Sequence, residues 1–215
     1  MGNPIRAAGR RVLQALGLWP LYVVRTRGPL HDDGWFRSFT AGESVDAEGR
    51  PLPWLCYPVI EFLSGRLRAD MSVFEYGCGN STLWWAARVR EVISCEHDPA
   101  WYERMRPRIP PNVTLRQVDL DGGAYARTVS EYPGRFDIVM LDGRDRVNCA
   151  IHAVGALKPG GVILWDNSDR AEYQVGYDHL ARLGFRKLPF IGLTTVHCHK
   201  NEAGIFYQND NVLSI

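Results

Sequence analysis

The sequence of 215 residues has no strong excess of charge of either sign. Its 25 Lys and Arg residues are almost balanced by 24 Asp and Glu residues, which gives a formal net charge of +1. A general nucleic-acid-binding protein carries a clear basic excess, because it has to neutralise phosphates. We therefore predict no nucleic-acid partner for this chain.

Paired cysteines are also missing. The five cysteines are widely spaced and include no C-x-x-C pair: Cys56, Cys78, Cys95, Cys149 and Cys198. This pattern argues against a disulfide framework and against a cysteine-based zinc site. Free cysteines are commonly buried as small apolar side chains, so we expect reduced thiols in a cytoplasmic protein.

A third absence is an apolar run long enough to span a bilayer. The stretch from Val12 to Val24 is mostly apolar, but it is shorter than the roughly 20 residues that a spanning helix needs. Pro20 also interrupts it. No small-residue cleavage site follows, since the next residues are Arg25, Thr26 and Arg27. We expect no transmembrane segment.

The N-terminal region does carry charge. Residues 1–30 contain five arginines and no acid, a net +5, which leaves −4 for the rest of the chain. Within residues 4–17, Ile5, Val12, Leu13 and Leu16 recur at the spacing of one helical face. We interpret residues 1–32 as a basic helical arm. Three alternatives stay open for it: it lies on a membrane surface, packs on its own domain, or joins a second subunit in a homodimer.

The rest of the chain divides into two parts. Residues 28–53 are rich in glycine, proline and polar residues, which predicts a loop, and a helix is expected from Trp54 to Leu67. We take residues 33–70 as a lead-in segment to a domain at 71–215. There, strands are predicted at 72–76, 91–95, 112–118, 136–141 and 162–165, with helices between them and closing strands at 185–191 and 203–207. Strands separated by helices predict an α/β fold with a doubly wound, mostly parallel sheet.

Acidic side chains follow every one of the first five predicted strands. They are Glu75, Glu96, Asp119, Asp142 and the pair Asp166-Asn167. Ligands of such sheets bind beyond the carboxyl ends of the strands, so these acids are expected to meet at one edge. Like charges repel each other there. A ligand with hydroxyls and a positive charge, or a metal ion, explains the arrangement.

The glycine loop after the first strand narrows the choice of ligand. Gly77 and Gly79 allow a bound group to approach the backbone closely. A dinucleotide fingerprint requires a third glycine at position 82, where the chain has Thr82, and no P-loop lysine follows. Glu96 lies 19 residues after Gly77, where a carboxylate can accept the hydroxyls of a ribose. The pattern favours a cationic nucleoside without phosphates.

These motifs resemble the class I S-adenosylmethionine-dependent methyltransferases. The resemblance covers about residues 70–208 and includes Glu75-x-Gly77-x-Gly79, Glu96, Asp119, residues 136–142 and the Leu157-Lys158-Pro159-Gly160-Gly161 segment. It implies a seven-stranded Rossmann-like sheet with the last strand antiparallel, and S-adenosylmethionine as cofactor. The implied cofactor-binding residues are Glu75, Gly77, Cys78, Gly79, Asn80, Ser81, Glu96, His97 and Asp119. Of these, Glu96 would bind the ribose, and His97 and Asp119 the adenine.

A finer resemblance concerns Asp142, Asp166 and Asn167. Metal-dependent O-methyltransferases of the catechol and caffeoyl type have an Asp after strand four and an Asp-Asn pair after strand five. The resemblance implies a divalent cation such as Mg²⁺, for which these oxygen ligands are suitable. The residues that surround them, such as those at 143–146, depart from that family. The alternative is that Asp142 contacts the substrate directly and that Asp166-Asn167 caps a loop.

The predicted function is transfer of a methyl group to a small-molecule acceptor, at a hydroxyl oxygen, with Asp142 as the catalytic candidate that contacts or deprotonates the acceptor. Trp54 and Tyr57 precede the domain, where methyltransferases often build a substrate lid, and Arg144 lies near the same edge. We take these three as substrate-contact candidates. Two alternatives stay open: an aminopropyltransferase on the same fold, which the arginines at this edge disfavour, and a non-catalytic adaptor.

Overall fold

The computed structural model describes the backbone of residues 4–215 and the side chains from residue 8 onward. Ten helices of at least four residues occur in that part of the chain: α1 Pro4–Ala15, α2 Trp19–Thr26, α3 Pro29–Asp32, α4 Trp35–Ala41, α5 Tyr57–Ser64, α6 Asn80–Ala86, α7 Pro99–Met105, α8 Ala124–Arg127, α9 Arg146–Ala153 and α10 Gln174–Arg182. The strands are β1 Ser72–Tyr76, β2 Glu91–Glu96, β3 Val113–Gln117, β4 Phe136–Leu141, β5 Leu157–Asp166, β6 Arg186–Leu193 and β7 Lys200–Tyr207. Short 3₁₀ turns extend several of the helices.

The seven strands form one sheet in the order β3-β2-β1-β4-β5-β7-β6. Neighbouring strands among β1 to β5 pair in parallel, and β7 is antiparallel to both β5 and β6. The predicted doubly wound sheet with an antiparallel last strand is therefore confirmed. Because β1 lies between β2 and β4, the chain reverses its direction of strand addition there. The carboxyl ends of these three strands form the crevice in which such sheets bind ligands.

The central strands are buried on both faces, as their nearly continuous apolar sequences predict. Every residue of β1 and β4 is buried. On one face Trp84 and Trp85 of α6 are fully covered, and on the other face Tyr125 and Ala150 are. The two apolar clusters hold the sheet rigidly, so the strand ends are fixed relative to each other.

The lead-in segment is more ordered than the sequence indicates. The predicted loop at 28–53 contains α3 and α4, and this part of the prediction is wrong. Trp35 is only 8% exposed, and its indole Nε1 donates to the carbonyl of His197 at 3.3 Å. Ser38 Oγ donates to the carbonyl of Val45 at 2.5 Å. The partner of Trp35 is distant in the sequence, and helices of one or two turns are too short to display a periodic pattern.

Two boundaries also differ from the prediction. Helix α5 begins at Tyr57 rather than at Trp54, because Pro58 occupies its first turn and Cys56 is its N-cap in extended conformation. Strand β5 begins at Leu157 and includes the Lys158-Pro159-Gly160-Gly161 segment, whereas the prediction places this strand at 162–165. Gly160 there has φ +75°, and the register to β4 shifts between Phe136 and Ile138. Gly160 and Gly161 therefore lie within strand β5, at the irregularity in its pairing with β4.

Helices α1 and α2 contact each other, and α2 also contacts α3. No residue of α2 is buried. None of the helices in residues 4–215 combines the length and the apolar character that crossing a bilayer requires.

Candidate active site

The first part of the candidate site is the turn that follows β1. Gly77 has φ +93°, a conformation that side chains other than glycine rarely adopt, and a Cβ there would lie 3.4 Å from the carbonyl oxygen of Asp142. A Cβ on Gly79 would meet nothing within 4 Å, so this part of the loop faces open space. Helix α6 begins directly afterwards at Asn80. The loop leaves an open backbone cradle beside β4.

Glu75 lies at the bottom of this cradle and is 1% exposed. Its Oε2 accepts a hydrogen bond from Thr82 Oγ1 at 2.5 Å, and Ser94 Oγ lies 3.1 Å away. Its Oε1 is buried without a partner within the described residues. Burial raises the pKa of Glu75 to about 7. A buried carboxylate oxygen without a partner is suited to a cationic ligand, whose charge would hold Glu75 in its ionised form.

Glu96, at the end of β2, is held by the backbone. Its Oε1 accepts from the amides of His97 and Asp98, each at 2.8 Å, and its Oε2 accepts from the amide of Cys78 at 3.2 Å. The His97 ring nitrogen Nδ1 lies 2.9 Å from Oε1. Oε1 already has two amide donors, so Oε2 is the oxygen that keeps capacity for a further donor. Glu96 is therefore a fixed acceptor for ligand hydroxyls.

A cavity of about 460 Å³ lies above these residues. Most of the predicted site residues line it: Glu75, Gly77, Cys78, Ser81, Glu96, His97, Asp142, Trp54 and Arg144. A second cavity of about 350 Å³ adjoins it and includes Gly79 and Asn80. Trp54, Trp101 and Asp142 line both cavities. The fold thus brings the greater part of the predicted set to one place.

Three predicted residues have other positions. Asp119 is exposed and lines neither cavity. Tyr57 lines a separate cavity next to α5, with its hydroxyl buried and unpartnered. Asn80 lines the second cavity, but its side chain is used within the protein: Nδ2 donates to the carbonyl of Ser44 at 2.8 Å, and Arg108 donates to Oδ1 at 2.9 Å.

Sequence reasoning missed three functional positions. One of them is Trp101, whose Nε1 donates to the carbonyl of Cys78 at 2.7 Å and which lines both cavities. Gly143 is required because a Cβ there would lie 1.9 Å from the Tyr125 hydroxyl. The Arg146 side chain lies among Asp142, Asp166 and Asn167. The position of Trp101 just after the Asp98-Pro99 helix start could have identified it, whereas the other two depend on packing.

The predicted metal site is filled by a side chain. The Arg146 guanidinium lies among the three proposed ligands: its Nη2 donates to Asp142 Oδ1 at 3.0 Å, its Nη1 donates to Asn167 Oδ1 at 2.9 Å, and Nη1 is 3.8 Å from Asp166 Oδ2. Within residues 4–215, no group of three or more His, Cys, Asp or Glu side chains is arranged to hold a metal ion. A guanidinium from outside the predicted set therefore supplies positive charge between these side chains, in the place where the sequence predicts a divalent cation. The metal site itself stays a prediction.

Burial dominates the electrostatics of the two aspartates. It raises the pKa of Asp142 to about 6. The pKa of Asp166 is raised well above its ordinary value, first by burial and second by the neighbouring Asp142. Arg146 acts in the opposite direction on both carboxyl groups.

The sheet order, the glycine turn after β1 and the acid at the end of β2 occur together as the sequence motifs predict. Residues 74–168 match the family described as a methyltransferase domain. This match confirms the resemblance to the class I S-adenosylmethionine-dependent methyltransferases that the sequence motifs indicate.

Solved structures share the fold. The tRNA methyltransferase TrmI from Aquifex aeolicus is similar with a TM-score of 0.55 and 14% identity, over 86% of this chain and 78% of that one. A precorrin-6y C5,15-methyltransferase from Geobacter metallireducens is similar with a TM-score of 0.52 and 14% identity, over 70% and 87%. A spermidine synthase in complex with a transition-state analogue is similar with a TM-score of 0.52 and 15% identity, over 68% of this chain. This chain spans 58% of that synthase. A search of curated proteins by sequence gave no match.

Proposed function

We propose that this methyltransferase transfers the methyl group to a hydroxyl oxygen of a small molecule, next to Asp142. The observation that carries the proposal is the position of Asp142, which lines both the 460 Å³ cavity and the adjoining one. Among the described residues, Asp142 supplies the one carboxyl group that borders both the cavity suited to the cofactor and the cavity next to it. When bound, S-adenosylmethionine supplies a methyl group on a positively charged sulfur.

The residues of the larger cavity are suited to that cofactor. Glu75 offers an unpartnered carboxylate oxygen to a positive charge, and Glu96 offers a rigid carboxylate to ribose hydroxyls. His97 and Trp101 border the same space and offer flat surfaces for a base. In a direct transfer of the methyl group from sulfur to oxygen, holding the two reactants in position in a cavity without water supplies much of the catalysis.

Asp142 is the group that would take a proton from the acceptor. Burial raises its pKa above the ordinary value of an aspartate, toward the neutral range in which a general base is most effective, and its carboxylate form can accept a hydrogen bond from a hydroxyl. Arg144 borders a cleft of about 440 Å³ that continues from the larger cavity past Arg170 and Tyr173. The arginines favour an acceptor with a carboxylate or a phosphate, and they disfavour a polyamine.

The experiment is a methyl-transfer assay with isotopically labelled S-adenosylmethionine and a panel of acceptors. The panel contains phenols, sugars and hydroxy acids, together with matched amines and a diamine offered with the decarboxylated cofactor. The proposal predicts label on hydroxyl oxygens, best with anionic acceptors, and a loss of roughly 10²-fold or more in Asp142→Asn. Label on nitrogen, or aminopropyl transfer to the diamine, would contradict it. Failure of the protein to bind the cofactor would favour the adaptor alternative.

A further inference from the structure

Arg146 makes an unusually complete set of contacts at the ends of β4 and β5. Its Nε donates to the carbonyl of Gly143 at 3.0 Å, and its Nη2 donates to Asp142 Oδ1 at 3.0 Å and to the Asp142 carbonyl at 3.3 Å. Its Nη1 donates to the carbonyl of Asp166 and to Asn167 Oδ1. A guanidinium has five N–H groups, and each of them has an acceptor here. The side chain is only 10% exposed.

From these contacts we infer that Arg146 is the resident cation of this site and takes the place of a divalent metal. Two carboxylates, an amide oxygen and main-chain carbonyls are ligands that Mg²⁺ prefers, and all of them are directed at the guanidinium instead. Asn201 supports the arrangement from outside, because its Nδ2 donates to Asp166 Oδ1 at 2.8 Å. Arg146 is thus a positioning residue that fixes Asp142 beside the acceptor space. Only this last consequence rests on the proposed function.

A direct test is to remove the guanidinium and offer a metal. Binding of Mn²⁺ is followed by electron paramagnetic resonance and by the change in Tm, neither of which depends on turnover. The wild-type protein should show no site that depends on Asp142. In Arg146→Ala the vacated oxygens should bind Mn²⁺ about tenfold or more tightly than wild type does. The matched control is Arg144→Ala, which removes an exposed neighbouring arginine and should create no site.

Two outcomes would overturn this inference. One is Mn²⁺ binding by the wild type that disappears in Asp142→Asn, since a metal would then displace the guanidinium. The other is a folded Arg146→Ala protein with no gain in Mn²⁺ affinity. If that variant does not fold, Arg146→Gln replaces it, and the wild-type titration remains decisive. Loss of methyl transfer alone would concern the proposed function and not this inference.

A separate observation concerns α1 and α2. Apolar side chains on these helices are open to solvent: Val12 is 58% exposed, Leu16 64%, Leu21 67%, Tyr22 48% and Val24 40%. The rest of the described chain does not cover them. Exposed apolar side chains on two consecutive helices are a candidate interaction surface.

The charge of the same segment identifies the partner. Residues 1–30 carry five arginines and no acid. The guanidinium groups of Arg10 and Arg27 lie 4.9 and 5.7 Å from the centre of the Trp19 ring, so charges and an interfacial aromatic are side by side. Two copies of such an arm would repel each other. An anionic lipid surface would neutralise the arginines and cover the apolar side chains.

We propose that α1 and α2 bind the surface of an anionic membrane and hold the enzyme there. The test is co-sedimentation of the full chain with vesicles of phosphatidylcholine containing about one third phosphatidylglycerol, compared with phosphatidylcholine alone. Binding should require the anionic lipid and weaken with salt. It should fall about fivefold for each arginine in Arg10→Gln and Arg11→Gln, and should be lost in Leu16→Ser with Leu21→Ser.

The matched control is Val175→Ser with Leu183→Ser, which changes two exposed apolar residues outside the arm. These replacements should leave vesicle binding unchanged. Absence of binding to the anionic vesicles would overturn this second proposal. So would a dimer, detected by sedimentation equilibrium, that dissociates on replacing Leu16 and Leu21, because a second copy would then cover the apolar surface.

Discussion

At the residue scale, the site contains carboxyl groups whose burial raises their pKa values. Glu75 is the clearest case: it is buried, it keeps one carboxylate oxygen unpartnered, and its pKa is raised to about 7. When it is ionised and no ligand is bound, such a carboxylate destabilises the folded protein, and the binding of a cation offsets this cost. Gly143 is constrained by packing, because its lack of a side chain leaves room for the Tyr125 hydroxyl.

Replacement of Glu75 by Gln should therefore stabilise the cofactor-free protein at alkaline pH. The folded pKa of about 7 lies above the unfolded value of 4.5, so the wild type loses stability as the pH rises between these values. The loss amounts to ~3 kcal/mol in total. Glu75→Gln removes this dependence. Urea unfolding should show a more stable variant at pH 8 and equal stabilities at pH 4.5, and a stability difference that is the same at both pH values would contradict the assignment.

Gly143→Ala should destabilise the protein by about 1–3 kcal/mol, because its Cβ would overlap the Tyr125 hydroxyl. The Tyr125 hydroxyl has only a weak contact of 3.5 Å to the carbonyl of Cys95, so Tyr125→Phe should cost little by itself. The double variant should recover part of the loss. A cycle of urea unfolding measurements on the four proteins tests this, and strictly additive effects would refute the steric explanation.

At the scale of elements, the lead-in segment is attached in two ways: Leu55, Val59 and Leu63 pack in the core of the domain, whereas the part around Ser44 is held by polar contacts. Ser44 Oγ donates to the carbonyl of Pro53 at 2.9 Å and lies 2.6 Å from Thr195 Oγ1. The carbonyl of Ser44 accepts from Asn80 on α6. This segment supplies Trp54 to both cavities. Its attachment is therefore part of the site.

Asn80→Ala should loosen that attachment. Loss of the bond to Ser44 should cost about 1 kcal/mol of local stability. The amides of residues 42–54 should then exchange hydrogen for deuterium several-fold faster, while those of β1 and β4 keep their protection. Asn148→Ala is the matched control, since the Asn148 side chain bonds only to exposed Asp145 among the described residues. Unchanged exchange in residues 42–54 would contradict a role for Asn80 in holding the segment.

The predicted and observed helices and strands differ in places, and these differences show which features of the fold the sequence can predict. Strands β1 and β4 were predicted with their observed bounds, because short, mostly apolar segments that end at a glycine turn or at an Asp-Gly pair leave few alternatives. Helices α3 and α4 were missed, since their stability comes from contacts such as Trp35 to His197. Positions at strand ends were predictable by topology. The role of Arg146 was not, because it depends on how α9 directs one side chain back to the sheet.

At the scale of the whole molecule, the near-zero net charge conceals two regions of opposite character. The N-terminal 30 residues carry +5 and expose apolar side chains, whereas the remainder carries −4 and places Glu75, Glu96, Asp142 and Asp166 at one edge of the sheet. The acidic edge is suited to a cationic nucleoside, and Arg146 balances part of it from within. The basic arm is suited to an anionic surface outside the domain.

The central claim is that the acidic cavity binds S-adenosylmethionine through Glu96 and its neighbours. Calorimetric titration of the purified protein with S-adenosylmethionine at pH 8 tests it most directly. The account predicts a single site in the wild type and an affinity at least about tenfold lower in Glu96→Gln, which is about 1.4 kcal/mol of binding free energy. No binding by the wild type, or equal binding by the folded Glu96→Gln variant, would contradict the account.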